Sequence, residues 1–447
     1  MKKGLVLGAA ALATVALAPV AEAGSISMKG YYMFRAQSVD GGLVDGDFVT
    51  NGADDGDKNA WMHRLEITSE YKASEKTHAH MKARFVDGSV DGADSNVLGA
   101  DSSVASGGLT VKQAWFETEA YGVSLKMGNM PLALNDKILL NHDATAFGTF
   151  LVAKSFGDVT VIAADVKVDE GHATNDLDDS SKDIDVYAAS VLGKVADVNL
   201  QLTFAALDGG SGATTGGAGA GAALSNVEGN WLALTASGAL AGIDYTATMI
   251  YDGGVDYFGD AAGIQLKESD FLAALRLKGK TGFGGWSAYG FYAGEDFNSI
   301  TDDNMGWSAT WDMGGPGGTD LLGTWAAAAD GGNSYLTANS KSTNASSNMW
   351  GIGAGLSIKA GGWTIKPHVD YASLVEEDLN GDGAVTAADA LFESAIAGSL
   401  FASTQIDKGT TLMVGGAYGS FDEGPNFTTG TEEDSAGYIE ASIKMAF

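Results

Sequence analysis

The chain has 447 residues, 45% of them apolar and 19% charged, with 57 acids against 26 lysines and arginines and a formal charge of −31. Acidity on this scale repels nucleic acid and anionic membrane surfaces and favours divalent counter-ions. The absence of cysteine excludes a disulfide framework, thiol catalysis and cysteine-ligated metal or iron–sulfur centres.

The first element is an export signal. Lys2 and Lys3 precede an apolar run from Gly4 to Ala18, and Ala21-Glu22-Ala23 is a small-x-small cleavage site, so residues 1–23 are expected to be removed. The run is too short to span a bilayer as a helix, and no later run is long enough. Residues 24–447 show no composition break and are expected to form one domain.

From Ser25 onward the apolar residues recur with period two, the signature of strands with two unlike faces. "SISMKGYYMFRAQ" (25–37), "AWMHRLEITSEYKA" (60–73), "THAHMKARFV" (77–86), "LTVKQAWFETE" (109–119) and "VSLKMGN" (123–129) open the series. Short turns at Ser74–Lys76 and Ala120–Gly122 alternate with long acidic connections rich in Gly and Ser. The rhythm continues, with short turns near Gly157-Asp158, Lys194–Asp197, Ala241-Gly242, Thr281–Gly284, Gly361-Gly362 and Lys408-Gly409. Strict long–short alternation fits an antiparallel up-and-down barrel of the transmembrane kind. A lipid environment forbids unpaired backbone groups, so such a sheet must close on itself.

The span 295–348 tests the strand count. "MGWSATWDM" (305–313) alternates apolar with polar, "GGPGG" (314–318) is a turn, and "TDLLGTWAAAA" (319–329) reads as a return strand. Counting this hairpin gives 20 strands. Placing it in a loop gives 18, and 16 is less consistent with the pattern. The last strand, "GYIEASIKMAF", puts Ile439, Ala441, Ile443, Met445 and Phe447 on one face. Tyr31, Tyr32, Trp61, Trp115, Trp231, Tyr245, Tyr251, Trp286, Trp350, Trp363 and Tyr438 are expected to form interfacial girdles.

The export signal, the rhythm over 24–447 and the terminal "IEASIKMAF" together resemble a Gram-negative outer-membrane porin of the general-diffusion kind. That resemblance implies residence in the outer membrane among lipid and lipopolysaccharide, a homotrimer, and passive diffusion of small hydrophilic solutes and ions. "KQAWFETEAYGVSLKMGN" is similar to the porin strand–turn–strand that precedes the inward-folded loop between strands 5 and 6. Here that loop is "MPLALNDKILLNHDATAFG" (130–148), whose Leu132, Leu134, Ile138, Leu139 and Leu140 need cover.

By the same resemblance, a pore constriction would set Asp136 and Asp143 against bases on the facing wall. Parity places Lys29, Arg35, Arg64, His80, Lys82 and Arg84, together with His78, on the inner side of the first three strands. A lysine or arginine at the lipid midplane costs about 2–4 kcal/mol, which favours the inward assignment. Opposed charges across a narrow gap would order water and favour polar solutes. Lys137 and His142 in the same loop blur that field. The structural alternative for the bases is pairing within the wall, for example Arg64 with Glu66.

"DLNGDGAVTAAD" (378–389), in an outer connection at 375–398, matches a calcium loop. Asp378, Asn380 and Asp382 stand at positions one, three and five, with Asp389 at twelve; the Ala384 carbonyl and Thr386 complete the set. It resembles the EF-hand and dockerin loop, although a strand precedes it. The expected effect is to stiffen the connection, so chelation should raise protease sensitivity near Glu376–Glu393; cleavage indifferent to calcium would remove the idea.

No GxSxG, HExxH or phosphate-loop pattern occurs, and an enzyme is not expected. The competing function is a sheath around a partner, such as a multihaem cytochrome serving as an electron conduit. This chain has no Cys-x-x-Cys-His of its own. An inward loop at 130–148 would obstruct such a partner.

Overall fold

The computed structural model describes residues 24–40, 58–91, 110–136, 138–169, 184–209, 228–256, 269–294, 297, 349–375, 392–423 and 435–447. These form strands β1 (Ser25–Asp40), β2 (Lys58–Lys72), β3 (Thr77–Asp91), β4 (Thr110–Ala120), β5 (Val123–Leu134) and β6 (Leu140–Phe156). They continue as β7 (Val159–Asp169), β8 (Ile184–Val195), β9 (Val198–Gly209), β10 (Glu228–Leu240), β11 (Ile243–Asp256) and β12 (Asp270–Thr281). The last six are β13 (Gly284–Ala293), β14 (Met349–Ala360), β15 (Trp363–Leu374), β16 (Phe392–Asp407), β17 (Thr410–Glu423) and β18 (Ser435–Ala446).

Each strand pairs antiparallel with its neighbours in sequence, and β18 returns to pair with β1, giving one closed 18-stranded barrel. Closure removes both sheet edges. The seam runs to the end of the chain, where the Phe447 and Gly30 backbones exchange two hydrogen bonds of 3.0 Å. The strand count is the smaller of the two main expectations. β13 pairs directly with β14, Ala293 opposite Met349, so the 305–329 hairpin adds no strands between them. That hairpin lies outside the described residues, as do the signal segment and the calcium-like loop.

The short turns fall where the sequence places them. Tyr121-Gly122 (φ 53° and 70°), Ala241-Gly242 (51° and 83°) and Gly361-Gly362 (56° and 89°) have two consecutive left-handed residues. That is the primed-turn geometry whose twist matches the flanking strands.

The faces alternate as the period-two pattern requires. On β18 Ile439, Ile443 and Met445 are exposed outward, as is Phe447 just after it, whereas Glu440 and Ser442 are buried inward. On β10 Leu232 and Leu234 point out while Trp231, Ala233 and Thr235 are buried on the inner face. Three expected girdle residues are therefore corrected. Tyr31 has the parity of buried Met33 and lies under the inward Lys444 ammonium at 4.1 Å. Trp231 is 1% exposed and faces in, and Trp115 faces in, stacked on His80. Both share inward parity with polar neighbours on their own strands. Tyr251 and Trp350 do point outward.

The inner wall at β13–β15 packs rings over a column of glycines. A Cβ at Gly353 would lie 2.2 Å from Tyr289 Cε1 and 2.3 Å from Asp370 Oδ1, so only glycine fits. Tyr289 donates to Asp370 Oδ1 at 2.6 Å, and His368 Nε2 meets the same oxygen at 2.6 Å. This satisfies a carboxylate that is otherwise shut off from solvent.

Candidate functional site: the inner wall and its crossing hairpin

The segment expected as a long loop at 130–148 is mostly ladder. β5 and β6 stay paired out to Leu134 and Leu140, with one irregularity between Met130 and Leu132. Asn135 (φ 52°) and Asp136 (φ 58°) make the tip, and Ile138 N–H donates to the Asn135 carbonyl at 3.2 Å. Asn and Asp tolerate this left-handed backbone better than other non-glycine residues.

The tip folds inward across the bore. Asn135 Nδ2 donates to Thr235 Oγ1 on β10 at 3.2 Å, and Thr235 in turn bonds Thr248 on β11 at 2.9 Å. Arg276 on β12 reaches both Asp136 carboxylate oxygens from one guanidinium nitrogen, at 2.5 and 2.6 Å. Strand β10 lies five places round the ring from β5, so these contacts span a chord of the barrel. Leu134, Ile138, Leu139 and Leu140 are almost fully buried, as are Trp231, Ile250 and Leu272 on the wall that receives the tip. Burial of this apolar surface, at roughly 25 cal/mol per Å², seats the hairpin, and the two polar ties fix its position.

The opposite stretch of wall, β2–β5, is charged but internally paired. Glu66 accepts from Lys82 (3.4 Å) and Arg84 (3.3 Å) on the neighbouring strand. Glu70 pairs with His78 at 2.8 Å, and Glu117 with Lys126 at 2.9 Å and His80 at 3.5 Å. The Lys126 ammonium also sits 5.2 Å from the Trp115 ring centre. Gly128 (φ 118°) lets β5 pass beneath that indole, because a Cβ there would lie 2.8 Å from the Trp115 Cα. The arrangement is a ladder of compensated charges lining one side of the bore.

No protein-family model and no curated protein sequence matches the chain. Solved structures match along nearly its whole length. Pseudomonas aeruginosa OccK2 (OpdF) superposes with a TM-score of 0.54 at 10% identity, covering 94% of this chain and 98% of that one. P. aeruginosa OccK11 (OpdR) gives 0.52 at 8% identity, covering 95% and 96%. The outer membrane protein OpdK of the same organism gives 0.50 at 11% identity, covering 94% and 99%. The fold is that of a porin-like barrel. Identities this low speak to architecture alone.

Within this porin-like barrel the expected constriction residues divide into groups. Asp136 pairs with Arg276 on β12, a base that parity on the first three strands does not include. Arg64, His80, Lys82 and Arg84 lie on the inner wall, their strands held in register by the β2–β3 ladder. Lys29 is exposed on β1. The Arg35 and Asp143 side chains lie outside the described ones, as do His142 and Lys137. The calcium-loop ligands Asp378, Asn380, Asp382, Ala384, Thr386 and Asp389 also lie outside the described residues.

Proposed function

We propose that the chain is an outer-membrane porin, a water-filled channel for passive diffusion of small hydrophilic solutes and ions. Three features support this reading: the closed 18-stranded ring, the apolar outward face, and the charged inner wall on β2–β5. Lipid tolerates a sheet only when every backbone group is paired, and this ring leaves no edge. Barrels of 16–18 strands enclose an aqueous lumen when nothing fills them. The observation that carries the proposal is the 130–140 hairpin tied across the bore by Asn135 and Asp136, opposite a wall of partly exposed ions.

Solutes pass between that hairpin and the β2–β5 wall. In this reading Asp136, Arg276 and the paired bases Lys82, Arg84 and His80 form the polar margin of the narrow section. Lys82, Arg84, His78, His80 and Lys126 each have an acid beside them, so ion selectivity is weak. The sheath alternative requires a clear bore, and the inward hairpin counts against it. A homotrimer and a calcium-stiffened 378–389 loop belong to the same proposal, carried by the sequence.

Planar-bilayer recording of the purified protein tests the central point. Stepwise insertions with ohmic current are expected. Absence of current from a barrel shown to be folded would overturn the channel.

A further inference from the structure

β2, β3 and β4 bring two imidazoles and two carboxylates to one patch of the inner wall, close to the 73–76 turn. In the ladder Glu70 stands opposite His80, and Glu117 opposite His78. The four residues thus form a cross-strand block whose facing Cβ atoms are roughly 5 Å apart. Their donor atoms converge further. His78 Nδ1 lies 2.8 Å from Glu70 Oε1 and 3.9 Å from Glu117 Oε1, and His80 Nε2 lies 3.5 Å from that same Glu117 oxygen. Ligand atoms of Glu70, His78 and His80 all fall within 4.8 Å of one another.

A second observation is independent of that clustering. His80 Nε2 is shut off from solvent, and its approach to Glu117 Oε1 at 3.5 Å does not have hydrogen-bond geometry. A buried nitrogen without a bonding partner costs stability unless something else satisfies it. The ring is not free to turn away, because it lies flat on Trp115 at 3.9 Å and 13°. Lys126 holds the other oxygen of Glu117, Oε2, at 2.9 Å, which leaves Oε1 aimed at the imidazoles.

We propose that Glu70, His78 and His80, with the Glu117 carboxylate beside the two imidazoles, bind a divalent transition-metal ion of the zinc, nickel or copper class. Metal–nitrogen and metal–oxygen bonds of about 2.0–2.2 Å imply donor separations of about 3.4 Å in a tetrahedron. The separations of 2.8, 3.5 and 3.9 Å bracket that value. Two carboxylates neutralise the dication, while imidazole selects against calcium and magnesium, which take oxygen ligands. An ion here would complete the coordination of His80 and clamp three neighbouring strands. Binding needs only the folded barrel and not conduction, so it stands or falls separately from the channel.

The test uses the whole protein folded in detergent, stripped with a chelator and titrated calorimetrically with Zn²⁺. One equivalent per chain is expected, weakened about ten-fold or more in the His78→Gln/His80→Gln variant. Cu²⁺ at the site should quench the indole stacked on His80, one tryptophan of nine. Trp115→Phe should lose that quenching while still binding one equivalent. Folding of each variant is checked by heat-modifiable gel mobility, and Glu117→Gln provides the same comparison if the double variant does not fold. Equal uptake by wild type and ligand variants, or no uptake by either, would overturn the site.

Discussion

Excising the crossing hairpin is expected to at least double the single-channel conductance. Met130 and Phe147 face each other in register, so replacing Pro131–Ala146 by Asn-Gly leaves a paired β5–β6 hairpin with a favoured turn. The ring and its outward face are untouched by that change. What disappears is the cover over the Trp231, Ile250 and Leu272 wall and the tie from Asp136 to Arg276. A roughly two-fold or greater rise follows if the narrow section dominates the resistance of the bore. Arg276→Ala is the gentler form: the hairpin keeps its apolar seat but loses its ionic latch, and the open-channel current should become noisier at little change in mean. Unchanged conductance after excision would place the narrowest section elsewhere.

Glu66→Gln should change both ion preference and stability. Glu66 is buried and serves two cations, Lys82 and Arg84. Removing its charge takes one negative charge from beside both cations on the bore wall, so the reversal potential in a salt gradient shifts toward anions. Breaking a buried pair costs about 3–5 kcal/mol when both partners are enclosed. Lys82 keeps about a quarter of its side-chain exposure, so about 2–3 kcal/mol is expected, read as a lower midpoint in heat-modifiable gel mobility. An unshifted reversal potential would mean that permeant ions do not pass this wall.

The ring was legible because its grammar is local. Alternation in "IEASIKMAF" assigns every side of β18 correctly, and the glycine-bearing two-residue turns mark where strands reverse. The excess hairpin in the 20-strand count arose from the same grammar. "MGWSATWDM" reads as a strand whether or not the ring has room for it, and room is a property of the β13–β14 pairing, not of the segment. Parity also held the information that Trp115 and Trp231 face inward, beside Glu117 and Thr235.

The site was less legible because its contacts are distant. Parity puts Arg276 on the inner face of β12, but nothing in periodicity says that a tip joining β5 and β6 lands there, 140 residues away in sequence. Likewise the basic column of β3 was readable as a column. Its neutralisation by Glu66, Glu70 and Glu117 depends on register with β2 and β4, which bulges beside Phe85 and Lys112 adjust. Charge ladders inside barrels are thus half-encoded: the face is local, the pairing is not.

Cysteine accessibility tests the proposition beneath all of this, that the outside of the ring meets hydrocarbon and the inside meets water. The chain has no native cysteine, so single introductions report cleanly. Cysteines at Ile439 and Ile443 point outward, and those at Lys444 and Lys126 point inward. In lipid vesicles a small charged maleimide should label the inward pair readily and spare the outward pair, with a bilayer-dissolved quencher showing the reverse preference for attached fluorophores. Equal labelling at all four positions would contradict the account.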